Sequence, residues 1–396
     1  VLPLRDVSKD RRFFLSEMGA SHRHGGGLTL WRILGTDLER VDRFIHLHQT
    51  GVNAPPPAFM RDRVMNRPLW TETDAGRRAL GLRITTRLNN ARWWRRRHAR
   101  RVANEIVDLA DKGRWLICPQ GSLSLTVTEN LKKRGNLDYV TWMMDDHLVQ
   151  WKNNWRYHPE DRRIMQSHLR DAHAVFTISP AMSEFYAAEF GISSTPLFGP
   201  ADTSGEPLWH PVSAAPDPIR LGYFGAVTPW QADALELLLP FVRAGKAELT
   251  IHSINALPKE WNNIPGLSHR GAVAADEIGK GMKSYDAVIL PASFASSQAH
   301  LTRLNIATKM AECLASGTVT LLIGPPEAAM ARYLLGRNVC LQIATPEREA
   351  VEPALNKIRD THIRLEILGN ARQFVAEQLS SQSMRSAWSS RTSNWW

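Results

Sequence analysis

Short apolar runs alternate with amphipathic stretches along most of this chain, and that alternation narrows its fold more than any other feature. Trp115–Cys118, Asp138–Met143, Ile219–Phe224 and Val319–Ile323 are rich in Leu, Ile, Val and aromatics and are apolar on both faces. Such runs belong to strands covered on both sides, and parallel strands need a crossover between them, usually a helix. The same reading places strands at Arg12–Ser16, Arg43–His48, Ala174–Ile178, Ala247–His252, Ala287–Leu290 and Val339–Gln342. Helices are expected at Gly27–Leu38, Leu88–Asp111, Pro180–Phe190, Gln231–Arg243, Ala275–Met282, Thr308–Ser316 and Val351–Ile358. The fold class is α/β.

At 396 residues the chain exceeds the roughly 250–300 that one hydrophobic core organises, so two domains are expected. The stretch around 201–218 is rich in Pro, Gly, Ser and Ala without periodicity and marks the linker. This gives a first domain over 1–200, a second over 219–375, and a tail over 376–396 that is helical at first and then irregular. The tail ends in Ser-Asn-Trp-Trp, a pair of indoles suited to anchoring it elsewhere on the protein.

Hydrophobic residues at 43% and charged residues at 22% fit a folded, soluble chain. No apolar run approaches the roughly 18 residues that cross a bilayer, and no signal-peptide pattern is seen, so a cytoplasmic location is expected. Cys118, Cys313 and Cys340 lie in or beside apolar segments without metal-ligand spacing and read as buried thiols.

The net charge of +10 asks for an acidic partner. Much of it is concentrated in Arg92-Trp93-Trp94-Arg95-Arg96-Arg97-His98-Ala99-Arg100-Arg101. A helix carrying Trp93 and Trp94 among Arg95, Arg96, Arg97, Arg100 and Arg101 suits a lipid headgroup boundary, with indole in the interface and guanidinium on phosphate. A nucleic-acid stripe and a solvated face with inward tryptophans are the competing readings.

Three stretches carry possible chemistry. Leu304–Pro326 reads as a helix N-capped by Asn305, stopped by Gly317 and followed by a buried strand. Lys309, Glu312 and Ser316 share one stripe of that helix, while Met310, Cys313 and Leu314 share the packing stripe. A lysine and a glutamate near a helix N-terminus suit an anion such as a diphosphate; an ordinary surface pair three residues apart is the alternative. Met18–Gly27 follows the first strand and holds His22, His24, Gly25, Gly26 and Gly27. Its glycines permit close backbone approach, but its spacing is not that of a dinucleotide-binding GxGxxG. Trp142–His147 ends a buried strand in Asp145, Asp146 and His147, ionisable groups at the carboxyl edge of a parallel sheet. A base that takes a proton from an acceptor hydroxyl is supplied by groups of this kind.

Thr308–Gly317 resembles the donor-binding motif of the GT-B glycosyltransferases, in particular the group 1, family 4-like bacterial enzymes: a lysine, two residues, a glutamate, then a small-residue turn with glycine. Arg220–Ala226 is similar to the strand and glycine turn that open the family's second domain, and Tyr285–Pro291 to the strand before the donor helix. The resemblance covers about 219–325, and more loosely 174–198. It implies two Rossmann-like domains facing a central cleft, with a C-terminal helix crossing back to the N-terminal domain. It also implies transfer of a sugar from a nucleotide diphosphate donor to a hydroxyl acceptor, a saccharide or lipid-linked saccharide, at a peripheral site on the inner membrane face.

By the same resemblance the phosphates meet Gly225 and Ala226 N–H groups with Arg303 or Lys309, Glu312 takes the ribose hydroxyls, and His252 and Ser253 border the base. His22, His24 and the three glycines face the cleft. No metal and no cofactor are implied, and nucleic acid is not the expected partner. The chain departs from the family at Leu304, where a glutamate is common, at Ala307, where a proline is common, and at Thr228-Pro229-Trp230-Gln231, which lacks the usual cation. Two other classes stay open: a nucleotide-sugar epimerase of GT-B-like architecture, and a non-catalytic polyanion- or membrane-binding protein.

Overall fold

The computed structural model describes residues 11–17, 19–20, 25–47, 58–145, 159–201, 217–274, 277–393 and 395–396. The chain forms two compact units, Val1–Phe198 with Arg385–Trp396, and Gly199–Met384.

Unit 1 is built on seven parallel strands: β1 (Arg11–Ser16), β2 (Arg43–His46), β3 (Val64–Asn66), β4 (Gly113–Cys118), β5 (Asp138–Met143), β6 (Val175–Thr177) and β7 (Thr195–Pro196), in the order β3-β2-β1-β4-β5-β6-β7. Its helices are α1 (Gly25–Leu34), α2 (Asp74–Asn90), α3 (Arg92–Ile106), α4 (Ser122–Lys132), α5 (Pro159–Asp171) and α6 (Pro180–Phe190). The register sets Phe13 beside Trp115 and Leu15 beside Ile117. On the face covered by α3 and α4, these four pack with Ala99, Val102, Ile106, Leu123 and Val127.

Unit 2 repeats the plan with β8 (Ile219–Phe224), β9 (Ala247–His252), β10 (Leu267–Arg270), β11 (Ala287–Pro291), β12 (Val319–Ile323) and β13 (Leu341–Ile343), ordered β10-β9-β8-β11-β12-β13. In both sheets the strand order reverses beside the first strand, at β1/β4 and at β8/β11. Open α/β sheets bind their ligands at such points, beyond the carboxyl ends of the strands.

The edge strands β3, β7 and β10 escape the sequence reading because they are short or exposed and carry no continuous apolar run. The helix expected over Leu88–Asp111 is two helices. α2 begins at Asp74, capped by Thr73 Oγ1, which accepts from Gly76 N at 3.1 Å, and the chain turns extended at Ala91 before α3. Asn89 and Asn90 favour that stop. Gln231–Arg243 likewise divides into Ala232–Glu236 and Leu239–Arg243, with Pro240 in a first turn, where its missing N–H costs nothing.

The donor helix is shorter than expected, Met310–Ala315, and Asn305 is not its cap. Asn305 is the buried, extended residue that closes the preceding helix Ala299–Leu304. Cys118 and Cys313 are buried, while Cys340 is only partly so.

The tail is helical almost to its end, over Thr361–Gln378 and Ser381–Thr392, and its last residues pack into unit 1. Trp388 lies 4.9 Å from the Phe176 ring, and Trp395 Nε1 donates to Asp138 Oδ1 at 2.8 Å. Arg114 lies 5.9 Å from the Trp395 ring and Arg12 lies 5.6 Å from the Trp396 ring. Arg12, Arg114 and Asp138 stand at the amino ends of their strands. The indoles therefore close the end of the sheet opposite its switch point.

Candidate functional site

The carboxyl end of β8 gathers the best-defined constellation. Within the strand, Gly222 is pressed against Tyr285, where a side-chain carbon would come within 2.5 Å of the ring. Past Phe224, Gly225 takes φ +146, a conformation side chains rarely adopt, and a carbon there would lie 2.6 Å from Lys309 Nζ. Lys309 reaches across 85 residues of sequence to donate to the Phe224 carbonyl at 2.8 Å, and its ammonium sits 3.9 Å from the centre of the Tyr223 ring. Tyr223 is itself fixed by donating from its hydroxyl to Ala226 O at 2.7 Å. Lys309 is thus a half-buried cation held at the switch point by two uncharged partners, a carbonyl and a π-face. Glu312 follows in the first turn of Met310–Ala315, also half-buried.

One expectation is corrected here. The Gly225 N–H donates to His252 O at 2.9 Å, extending the β8–β9 ladder by one residue, so it is not offered to a ligand. The exposed Ala226 follows it.

His252 is stacked on Phe224, with centroids 4.4 Å apart and planes 9° apart, and its Nε2 shares a hydrogen bond of 2.7 Å with Tyr285 Oη. Burial, with Arg270 nearby, lowers its pKa, so the ring is neutral at pH 7. Ser253 is buried and shapes the next turn: its Oγ accepts from Asn255 N at 3.0 Å, and its carbonyl bonds His269 Nε2 at 3.2 Å. Arg303 is exposed and lies 3.6 Å from the Glu327 carboxylate, which offsets its charge. Leu304 is buried, so the family's glutamate position is apolar in this chain.

Asp233 was not anticipated. Its Oδ2 accepts from Ser293 Oγ (2.9 Å), Phe294 N (2.8 Å) and Ala295 N (3.2 Å), while Ser293 N donates to Trp230 O at 3.1 Å. The loops after β8 and β11 are thereby tied together across the switch point. A carboxylate just after a Pro-Trp turn was the only sequence signal, and its partners lie 60 residues on.

In unit 1, Gly25, Gly26 and Gly27 form the first turn of α1 rather than a loop ahead of it. His22, His24, Asp146 and His147 lie outside the described residues. Asp145 is half-buried just past β5. Glu17, also not anticipated, is buried at the end of β1 and accepts from Gln120 N (2.9 Å), Ser124 N (2.8 Å) and Ser124 Oγ (2.7 Å). Among the described residues no group of three or more His, Cys, Asp or Glu is placed to hold a metal.

The Arg/Trp run splits by helix face. Arg92 pairs with Asp161 (3.1 Å) and Glu160 (3.3 Å), Arg96 pairs with Glu160, and Arg101 pairs with Glu105 (3.1 Å). Trp94 turns inward and donates to Thr71 Oγ1 at 3.1 Å. Trp93 is 62% exposed and Trp70 48%, and both line an open groove of about 950 Å³ with Arg97 and Arg100. Arg95 leaves the patch altogether and points toward Gly121. No described helix is long and apolar enough to cross a membrane.

No family model matches the chain, and no curated protein matches it in sequence. Solved structures do. Sucrose-phosphate synthase from Thermosynechococcus elongatus superposes with a TM-score of 0.71 at 11% identity, over 96% of this chain and 98% of that one. HepE of Anabaena, solved with UDP and glucose, follows at TM-score 0.64 and 13% identity, over 96% and 98%. The chain has the GT-B fold. A third GT-B structure, α,α-trehalose 6-phosphate synthase from Burkholderia multivorans, gives a TM-score of 0.60 at 9% identity over 96% of both chains.

Proposed function

We propose that this GT-B chain is a glycosyltransferase that takes a sugar from a nucleotide diphosphate donor bound by unit 2 and moves it to a hydroxyl of an acceptor held by unit 1. The observation that carries the reading is Lys309, held over Tyr223 against a side-chain-free turn at the β8/β11 switch point, with Glu312 one turn on. As the glycosidic bond breaks, charge grows on the leaving diphosphate, and a positioned cation stabilises it most in the transition state. Lys309 exchanges the Phe224 carbonyl for a phosphate oxygen, Gly225 leaves room for that oxygen, and Glu312 accepts from the ribose hydroxyls. The complexes of HepE with UDP and with UDP-glucose support a donor of this class. The reading calls for no resident metal or cofactor.

Asp145, with Asp146 and His147 beyond it, is the candidate base for the acceptor hydroxyl, a role that contributes about 10²–10⁴-fold in rate. The acceptor is a saccharide or lipid-linked saccharide of a cell-surface polysaccharide or glycolipid. Exposed Trp93 and Trp70 beside Arg97 and Arg100 support peripheral docking on anionic lipid at the inner face of the membrane, in an otherwise cytoplasmic enzyme.

The test is to incubate the chain with a panel of nucleotide sugars, with and without candidate acceptors, and to follow both released nucleotide and sugar product. Nucleotide release that rises with acceptor and yields a glycoside supports transfer. Acceptor-independent formation of a converted sugar identifies the epimerase, and no turnover of any donor removes the proposal.

A further inference from the structure

The inner stripe of α3 ends in a charged group that the donor site does not use. Ala99, Val102, Ala103 and Ile106 are buried against the sheet, and one turn before Ala99 on the same face stands Arg95. α3 leads back into the parallel strand β4, so it runs antiparallel to the strands, and its first turn stands over their carboxyl ends.

There Arg95 meets Gly121, the residue just before α4. A side-chain carbon on Gly121 would lie 3.7 Å from Arg95 Nη2 and 3.5 Å from Glu17 Oε1, so both groups flank one small open point. The two oxygens of Glu17 are already engaged by Gln120 and Ser124. Arg95 Nε is buried and has no hydrogen-bond partner. Its neighbours Arg92 and Arg96 are committed to acidic side chains of α5. A half-buried guanidinium on the sheet-facing stripe, with its Nη2 at the point where open α/β sheets take ligands and its enclosed Nε unpartnered, fits planar recognition of an oxyanion. The excess positive charge of the chain favours such a ligand.

We propose that Arg95 binds a phosphate group of the acceptor at the carboxyl ends of β1 and β4. Its role toward an acceptor rests on the transferase reading; the phosphate site does not. A soluble sugar phosphate and a lipid-borne diphosphate present the same chemistry.

The test titrates inorganic phosphate into the full chain under ³¹P NMR, with and without excess UDP, so that phosphate bound at the donor site is displaced and discounted. The UDP-insensitive binding is expected to weaken about tenfold or more in Arg95→Gln, the loss of charge-assisted hydrogen bonds. Gly121→Val keeps every charge, fills the open point and is expected to weaken it similarly, which decides the matter if Arg95→Gln does not fold. Arg83→Gln, exposed on α2, is expected to leave it unchanged. Phosphate binding that ignores both inner substitutions, or that falls equally in Arg83→Gln, overturns the site. Competition then names the source: displacement by a hexose 6-phosphate assigns a soluble acceptor, displacement by a short-chain prenyl diphosphate a lipid-linked one, and displacement by neither overturns the acceptor role. UDP that fails to bind at all counts against the donor site alone.

Discussion

Six strands follow the same order in both sheets, yet the two switch points are furnished in opposite ways. At β8/β11 the chain places a glycine that leaves space and a lysine on uncharged partners. At β1/β4 it places a buried glutamate that engages Gln120 and Ser124, with an arginine beyond it. Topology supplies a crevice in each unit, and a few side chains decide what each crevice can hold. On the proposed reading, unit 2 takes the most negative part of a donor at Lys309, while in unit 1 the Glu17 carboxylate opposes an anion except where Arg95 reaches.

The comparison breaks most sharply at Lys309. Lys309→Ala is expected to lower kcat/KM for the donor by about 10²–10³-fold, the range for removing one group that stabilises developing charge. Steady-state kinetics measure it, and a Glu17→Gln variant, if folded, is expected to change donor kinetics far less. A residual donor kcat/KM within a few-fold of wild type in Lys309→Ala would erase the distinction between the units.

Next in size is the outer face of α3. Replacing Arg97 and Arg100 together with Gln is expected to cost about 2 kcal/mol of affinity for vesicles rich in anionic lipid, from about 1 kcal/mol per basic residue at such a surface. Co-sedimentation at low salt checks it, and the donor thermal shift should not move.

A pH series separates the two units by one shifted imidazole in each. His168, buried in unit 1 against Thr141 Oγ1 at 2.8 Å, has its pKa driven down to about 3, chiefly by burial and then by Lys132. Its unfolded counterpart titrates near 6.5, so between those values the unfolded chain binds the extra proton. Stability therefore rises with pH through that window and is lost on acidification, by about 1.4 kcal/mol per pH unit, levelling off below the folded value. His252 in unit 2 is shifted in the same direction but is less buried, so its window is narrower. Thermal melts of wild type and His168→Asn from pH 7 to 4 should show the acid slope flattened in the variant.

The smallest expected effect concerns Asp233. Asp233→Asn keeps the shape but weakens three hydrogen bonds to the Ser293–Ala295 loop. A loss of about 1–2 kcal/mol in donor binding is expected from ordinary hydrogen-bond magnitudes, read by calorimetry against an unchanged global melting temperature.

Much of this was legible in the chain itself. The central strands announce themselves because burial on both faces demands unbroken apolar runs, and Lys309, Glu312 and Gly225 sit in a local motif. The rest depends on pairings that no local pattern carries. Asp233 and the Ser293 loop meet only when β8 and β11 become neighbours, and Glu17 meets Ser124 only across β1 and β4. Arg95 looked like one of a run of surface arginines, although its four-residue spacing from Ala99 put it on the buried stripe. The Gly225 N–H looked available because the extra ladder bond to His252 belongs to sheet geometry rather than to the turn's composition.

The most direct test of the central claim is calorimetric titration of nucleoside diphosphates and their sugars into wild type, Lys309→Ala and Arg95→Gln. One nucleotide class is expected to bind wild type and Arg95→Gln alike and to be weakened at least tenfold in Lys309→Ala, which assigns the donor to unit 2. Equal binding in wild type and Lys309→Ala, or loss in Arg95→Gln instead, would contradict it.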